Sequence, residues 1–429
     1  MARPASLLLG LALLASPVLA VGLTAGDVDD NLNWGQYISY ASRAVVRDDG
    51  LPKIALDDRV TILVKDATGS PMPFVPVTVT DAEDTVSVQL VSGADGVVRL
   101  FPAFDGLGKS SVFRVRVGDS PPQAAARIDL AELDGARVAT IAVDGRASAP
   151  EAIDLMLVVD ATGSMSDEIH YLTVELSRIV ADVAEAHPNA DLRLGLTMYR
   201  DHGDEYVVKS FGFTSSVDTM ADRISAQRAD GGGDYEEAVD EALVAAVADE
   251  WRDGATARML FLVGDAPPHA DDYDRFLEGV RSARAKGIHI EPVGASGVAD
   301  AAEYLFRAAA ALTQGRYVFL TDDSGLGNPH AEPHVQCYLV TELSGLLVRI
   351  VGSEFTGTRI EADSGDVMRS VGSYERGVCL ADEDGEPKAQ PHPSVGAAGG
   401  TSTPGPGLAW LMAAVGLALL LGRGQRRHP

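Results

Sequence analysis

Positive charge is what this chain has little of. It carries 35 Lys and Arg against 62 Asp and Glu, for a net charge of -27 over 429 residues. Like charge repels phosphate backbones and anionic bilayers, so nucleic acid and acidic membrane surfaces are excluded as partners. Cysteine is nearly missing as well. Two residues, Cys337 and Cys379, are too few for a disulfide-dense scaffold or a four-thiolate zinc site. No N-x-S/T sequon occurs, which fits a bacterial source. Nucleotide and acyl-transfer signatures are also absent. The run Gly231-Gly232-Gly233-Asp234-Tyr235 lacks the lysine and hydroxyl that follow a Walker glycine run. Ser164 lies in T-G-S-M rather than a G-x-S-x-G elbow, and no histidine motif marks a base for it. Neither an enzyme nor a small-molecule substrate is therefore expected.

Apolar runs at the two ends read as addresses. Arg3 and SLLLGLALLA, followed by Ser16 to Ala20, predict a signal peptide over residues 1–20. Near the other end, Gly407 to Gly422 reads GLAWLMAAVGLALLLG and is followed by Arg423, Arg426 and Arg427. Sixteen residues make ~24 Å of helix, short of a ~30 Å hydrocarbon core but able to span it with adjustment of the flanks. The arginines predict a transmembrane helix over 408–422, a basic cytoplasmic tail over 423–429, and the body outside the cytoplasm. The basic end speaks against a glycolipid anchor. An exported chain meets an oxidising compartment, so a Cys337–Cys379 disulfide is expected, with two separately buried thiols as the alternative. Closing that loop would stabilise by roughly 4 kcal/mol.

The chemistry concentrates in Ile153 to Glu168, IDLMLVVDATGSMSDE. Its apolar half reads as a strand buried on both faces of a parallel sheet. Asp160, Thr162 and Ser164 then alternate past the strand end, with Gly163 in the turn and a helix capped by Ser166, Asp167 and Glu168. This sets a carboxylate and two hydroxyls at the carboxyl edge of a sheet, where open α/β sheets bind ligands. All-oxygen donors suit a hard dication, Mg²⁺ before Ca²⁺ or Mn²⁺. One loop cannot fill the shell. RMLFLVGDAPPH supplies Asp265 at a second strand end, and ADGGGDYEEAVDEAL offers Asp234 after three glycines. Taken alone, the first loop has a plainer, less favoured reading in which Asp160 and Thr162 only cap their helix.

Together the three loops resemble a von Willebrand factor type A (VWA) domain from roughly Ala152 to Phe355. Its metal-ion-dependent adhesion site uses a D-x-S-x-S loop, a threonine loop and an aspartate loop. Here Asp160, Thr162 and Ser164 stand as D-x-T-x-S and Asp265 stands in the third loop. The second loop departs from the pattern, with Gly233-Asp234 where many members carry the threonine. DATGSM, YRDH (Tyr199 to His202), GGGD and GDAPPH (Gly264 to His269) look like one bacterial-type branch. The Pro/Gly-rich lead, short span and terminal arginines are similar to bacterial envelope sorting tails. The resemblance implies an ion held by Asp160, Thr162, Ser164, Asp234 and Asp265, with an open position for a carboxylate of a protein partner.

Around that centre the expected fold is α/β: a doubly wound, mostly parallel sheet with helices on both faces, preceded by a small antiparallel β-sandwich. Residues 21–50 form an N-terminal segment. Asp27, Asp29, Asn31 and Asn33 lack the glycine and glutamate of a calcium hand, so the segment should dock through Trp34, Tyr37 and Tyr40. Period-two alternation over 51–149 gives the sandwich, whose DATGSPMPFVPV wording is similar to carboxypeptidase-regulatory-like and other immunoglobulin-like modules. The VWA region takes 150–355, with helices over Ser166–His187, Tyr235–Trp251, Tyr273–Lys286, Ala299–Thr313 and Val335–Phe355. A C-terminal extension over 356–386 and a flexible linker over 387–407 follow. His330, Glu332 and His334 invite a zinc reading, but Pro333 breaks the helix that an H-E-x-x-H site needs. His269 is either a polar residue beside the metal edge or an exposed loop histidine. Function is thus expected to be metal-dependent protein binding at the cell envelope. A module whose ion only fixes the loops, or a hydrolase using Ser164, are the alternatives.

Overall fold

The computed structural model describes residues 22–380 and 389–390, apart from 109, 122–123, 167–168, 234 and 326–329. The expected leader, membrane span and basic tail lie outside these residues. Among the described residues no helix is long and apolar enough to cross a membrane.

The chain opens with β1 (Thr24–Val28) and α1 (Trp34–Arg47). A sandwich follows from β2 (Val60–Lys65), β3 (Pro76–Asp81), β4 (Ser87–Val91), β5 (Val97–Leu100), β6 (Val112–Val117), β7 (Ala126–Asp129) and β8 (Val138–Ala142). Its sheets run β5-β2-β8 and β4-β3-β6-β7. Alternation places Val60, Ile62, Val64, Val77, Val79, Phe113 and Val115 in one core between them. The pairing is antiparallel throughout except that β8 runs parallel to β2. β7 ends at Asp129, and Leu130–Glu132 is a short 3-10 turn capped by the Asp129 side chain.

The main sheet is built from β9 (Ala152–Asp160), α2 (Ile169–Ala186), β10 (Asp191–Tyr199), β11 (Val208–Ser210), α3 (Val217–Ser225), α4 (Val239–Ala248), β12 (Thr256–Gly264), α5 (Tyr273–Lys286), β13 (Ile288–Gly294), α6 (Asp300–Thr313) and β14 (Tyr317–Thr321). Next come β15 (Tyr338–Glu342), α7 (Leu343–Thr356), β16 (Arg369–Val371), β17 (Ser373–Glu375), β18 (Val378–Leu380) and β19 (Ala389–Gln390). Strand order is β11-β10-β9-β12-β13-β14-β1-β15-β16-β19. The strands from β10 to β14 pair in parallel in this order. β9 is buried at every position, because one helix layer covers each face. Met156 and Val158 enter one core cluster, and Ile153, Leu155 and Leu157 the other.

Four expectations are corrected. Val335–Phe355 is not one helix: Tyr338–Glu342 is a strand, hydrogen-bonded antiparallel to β1 and β16, and α7 begins only at Leu343. A free strand edge outweighed helical periodicity there. Residues 21–50 do more than dock, since β1 pairs along its length with β14 and bridges it to β15. Tyr235–Trp251 shortens to Val239–Ala248, leaving Glu237 in the preceding loop. Within the expected linker, Ala389 and Gln390 pair with β16. The segment from Val217 to Ser225, read as no element from sequence, is a helix capped by the Ser216 hydroxyl.

Trp34, Tyr37 and Tyr40 do face inward. Tyr37 and Tyr40 are buried, and the Arg307 guanidinium lies 3.9 Å from the Tyr40 ring centroid while binding Asp30 at 2.7 Å. Cys337 and Cys379 form a disulfide with Cα atoms 5.4 Å apart, fastening the β17–β18 hairpin to the start of β15. The sandwich meets α5 through Arg284, which reaches Asp105 at 2.8 Å with both side chains almost fully buried. Gly287 ends α5 in the left-handed region at φ 64°, where a Cβ would approach Val91 Cβ to 2.6 Å. Only glycine satisfies both demands.

Candidate functional site

β10 lies on one side of β9 and β12 on the other, so the order of the sheet reverses at β9. The carboxyl ends of β9 and β12 therefore flank a crevice at the topological switch point. Asp160 closes β9, and Asp265 follows the last residue of β12. Backbone bonds tie the three loops together. Gly163 N–H donates to the Gly231 carbonyl at 3.1 Å, Asp230 N–H to the Ala161 carbonyl at 3.0 Å, and Glu237 N–H to the Pro267 carbonyl at 3.1 Å.

Asp160 is wholly buried. Its Oδ1 accepts from the Thr162 backbone N–H at 2.8 Å and the Thr162 hydroxyl at 2.6 Å, and that hydroxyl lies 3.1 Å from Ser164 Oγ. Its Oδ2 makes no well-formed hydrogen bond, and the neighbouring Tyr199 hydroxyl is the one donor that bears on it. Burial, and then the Asp265 charge, push the Asp160 carboxyl up to about 7. Thr162 is buried and Ser164 is exposed, so the first loop runs from interior to solvent. Asp234 lies outside the described residues.

Glu237 is the residue that sequence reading missed. It is 3% exposed, and its Oε2 has no hydrogen-bond partner. Burial, then the charges of Asp160, Asp201, Asp265 and Asp204, push it up to about 9. A Cβ on Gly232 would meet Glu237 Oε1 at 3.1 Å and Thr162 Cβ at 3.3 Å, so the glycine run lets the second loop lie against the first. The available signal was the Y-E-E-A-V run after GGGD, assigned there to a helix face. Asp204 accepts from Gly232 N–H at 2.9 Å, and Gly231, at φ 81°, would place a Cβ 2.3 Å from its Cγ.

The histidines of YRDH and GDAPPH stand at the rim. His269 Nε2 is 2.8 Å from Asp201 Oδ1, His202 Nε2 is 2.9 Å from Glu241 Oε1, and the two rings stack with centroids 5.6 Å apart. The other histidine pair does not converge on an ion. His330 faces Asp322 and His334 faces Glu303.

Would the residues present fit a dication? Asp160, Asp265 and Glu237 crowd carboxyl groups into a site where Glu237 Oε2 lacks a donor and Asp160 Oδ2 has only the Tyr199 hydroxyl beside it. Buried carboxylates so placed need protons or a metal. Oxygen-only donors and an exposed hydroxyl at the mouth match a hard cation with an open position. The donor set fits.

The sequence profile described as "von Willebrand factor A domain" matches residues 154–317. Among curated proteins, the chain is 39% identical over 88 residues to "Putative ariadne-like RING finger protein R811" of Acanthamoeba polyphaga mimivirus, covering 20% of this chain and 8% of that one. It is 26% identical over 144 residues to "Alpha-protein kinase vwkA" of Dictyostelium discoideum, covering 33% and 23%. It thus spans less than a quarter of either relative. Among solved structures, "conserved hypothetical protein BatB from Bacteroides thetaiotaomicron" aligns with a TM-score of 0.35 at 13% identity, over 47% of this chain and 98% of that one. Residues 154–317 thus match a VWA domain, in keeping with the α/β fold of the main sheet.

Proposed function

We propose that this protein binds a protein partner through a divalent cation, Mg²⁺ in the first instance, at the carboxyl edge of β9 and β12. The observation that carries the reading is Asp160, a buried carboxylate whose Oδ2 has only the Tyr199 hydroxyl beside it, crowded by the Asp265 and Glu237 charges. Asp160, Thr162 and Ser164 would hold the ion with Asp265 and Glu237, and Asp234 remains a candidate from the same loop. The bound ion would supply localised positive charge at a solvent-facing position. In a chain of net charge -27, little else at this edge would draw an acidic partner.

Exposed Ser164 favours an open ion over one that merely fixes loops. A buried Thr162 can brace Asp160, but a hydroxyl at the surface leaves its side of the shell accessible. Two features extend the proposal to location: the apolar leader and the apolar, arginine-ended stretch over 408–422, similar to bacterial envelope sorting tails, suit an exported and anchored protein. Its role is capture rather than turnover.

The test is capture from envelope extracts by the full chain, with Mg²⁺ and with EDTA, while circular dichroism monitors the fold. Loss of capture in EDTA with the fold retained supports the proposal. Capture that persists without metal overturns it.

A further inference from the structure

A second group of metal-capable side chains sits at the opposite edge of the sheet. His289 and Glu291, two residues apart on β13, project from the same face, and Glu354 reaches them from the last turn of α7. His289 pairs in register with Met259, near the amino end of β12, far from the Asp160 loop. The ligand atoms of these three residues all lie within 4.8 Å of one another.

We propose that His289, Glu291 and Glu354 form a second, Zn²⁺-type site that ties β13 and α7 together beneath the sandwich. The trio offers one imidazole and two carboxylates, a donor set that with one water suits a four-coordinate zinc ion. Glu291 is the observation that points to a ligand. It is 0% exposed; Oε2 accepts from Arg316 N–H at 2.6 Å, while Oε1 has no hydrogen-bond partner. A buried carboxylate oxygen with no donor is costly unless a proton or a cation meets it.

His289 and Glu354 border a cavity of about 150 Å³ that Asp95, Arg99, Arg316 and Arg359 also line; Glu291, fully buried, is not part of its wall. His289 Nδ1 and Glu354 Oε2 are 2.5 Å apart, closer than two ligands of one zinc ion at ~2.0–2.2 Å bonds, so the pair must part to admit the metal. Glu354 can move into the cavity, because its side chain is 15% exposed. Three guanidiniums stand nearby: Arg99 donates to Gln314 at 2.9 Å, Arg316 lies 3.7 Å from Asp27 and Arg359 lies 2.6 Å from Glu361, while the Arg99 and Arg316 charges also reach Glu354. From the sandwich, the turn at Gly93 lies over the ring, where a Cβ would stand 3.5 Å from His289 Cε1. An ion here would fix the sandwich-side end of α7.

The experiment uses the full chain without an affinity tag, in excess Mg²⁺ to saturate the first site, with Zn²⁺ as the probe. Equilibrium dialysis with elemental analysis should find one zinc fewer per chain in Glu291→Gln than in the parent. The zinc-dependent rise in Tm should vanish with it. Equal zinc content in variant and parent overturns the proposal. Zinc-edge X-ray absorption of the parent needs no variant. One imidazole among oxygen ligands supports the site; two imidazoles, as the His202 and His269 pair would give, or no bound zinc, overturn it.

Discussion

Asp160 is held where water does not reach it, and that choice makes it a poor residue for stability and a good one for binding a cation. Its carboxyl titrates near 7 instead of the ordinary 3.8, so the metal-free fold retains a proton that the unfolded chain releases. Stability of the metal-free protein should therefore fall as pH rises from the ordinary carboxylate range to about 7. Asp160→Asn should reduce that fall, the remainder coming from Glu237, which is pushed up to about 9, raise the metal-free Tm at neutral pH, and abolish the Tm increase produced by Mg²⁺. Scanning calorimetry across pH decides; matching slopes in variant and parent would refute the account. Glu237→Gln should likewise spare the metal-free fold while weakening Mg²⁺ by tenfold or more, on the order of 1.4 kcal/mol. Unchanged affinity by calorimetric titration would remove Glu237 from the ligand set. The D-x-T-x-S spacing made Asp160, Thr162 and Ser164 legible in the sequence. Glu237 was not legible, because a glutamate two residues before the helix at Val239 looks like surface until the Pro267 loop closes over it.

Elements were legible where one period dominated. Tyr273–Lys286 has the bounds that apolar spacing predicts, and β9 reads as a buried strand because both faces need apolar residues. β1 and β15 escaped because TAGDV and YLVTE are short, and each becomes a strand only between its neighbours, β1 between β14 and β15 and β15 between β1 and β16. Gly26 shows how tight that insertion is: a Cβ there would fall 2.7 Å from the Phe319 ring and 2.9 Å from Tyr338. Gly26→Val should destabilise by about 1–3 kcal/mol through overpacking, read as a lower denaturant midpoint. A neutral effect would mean that β1 is not seated between β14 and β15. Loss of the Cys337–Cys379 bridge, 42 residues apart, should cost about 2–4 kcal/mol. The paired Cys337→Ser and Cys379→Ser variant should therefore melt well below the parent, and an identical Tm would contradict a formed bridge.

At the scale of the molecule, the sandwich is fastened to the α/β layer by a buried charge pair. Arg284 and Asp105 are 4% and 2% exposed, and Arg284 also donates to the Arg99 carbonyl at 3.0 Å. Breaking a buried pair leaves one charge uncompensated and costs about 3–5 kcal/mol. Arg284→Ala should expose the connection near residue 150 to limited proteolysis while Mg²⁺ binding at the far edge persists. Resistance equal to the parent would show that the two layers hold together without the pair.

The sequence by itself determined the alternation of strand and helix, the oxygen-bearing loop after β9 and the acidity that rejects polyanions. Those are properties of neighbours along the chain, set by periodicity and by residue chemistry. Tertiary structure alone decided that β1 completes the sheet, that Glu237 stands with Asp160 and Asp265, and that His289, Glu291 and Glu354 meet. Each of these joins residues far apart in sequence. Their approach depends on which edges and faces the rest of the fold leaves to be covered, and no local pattern records that.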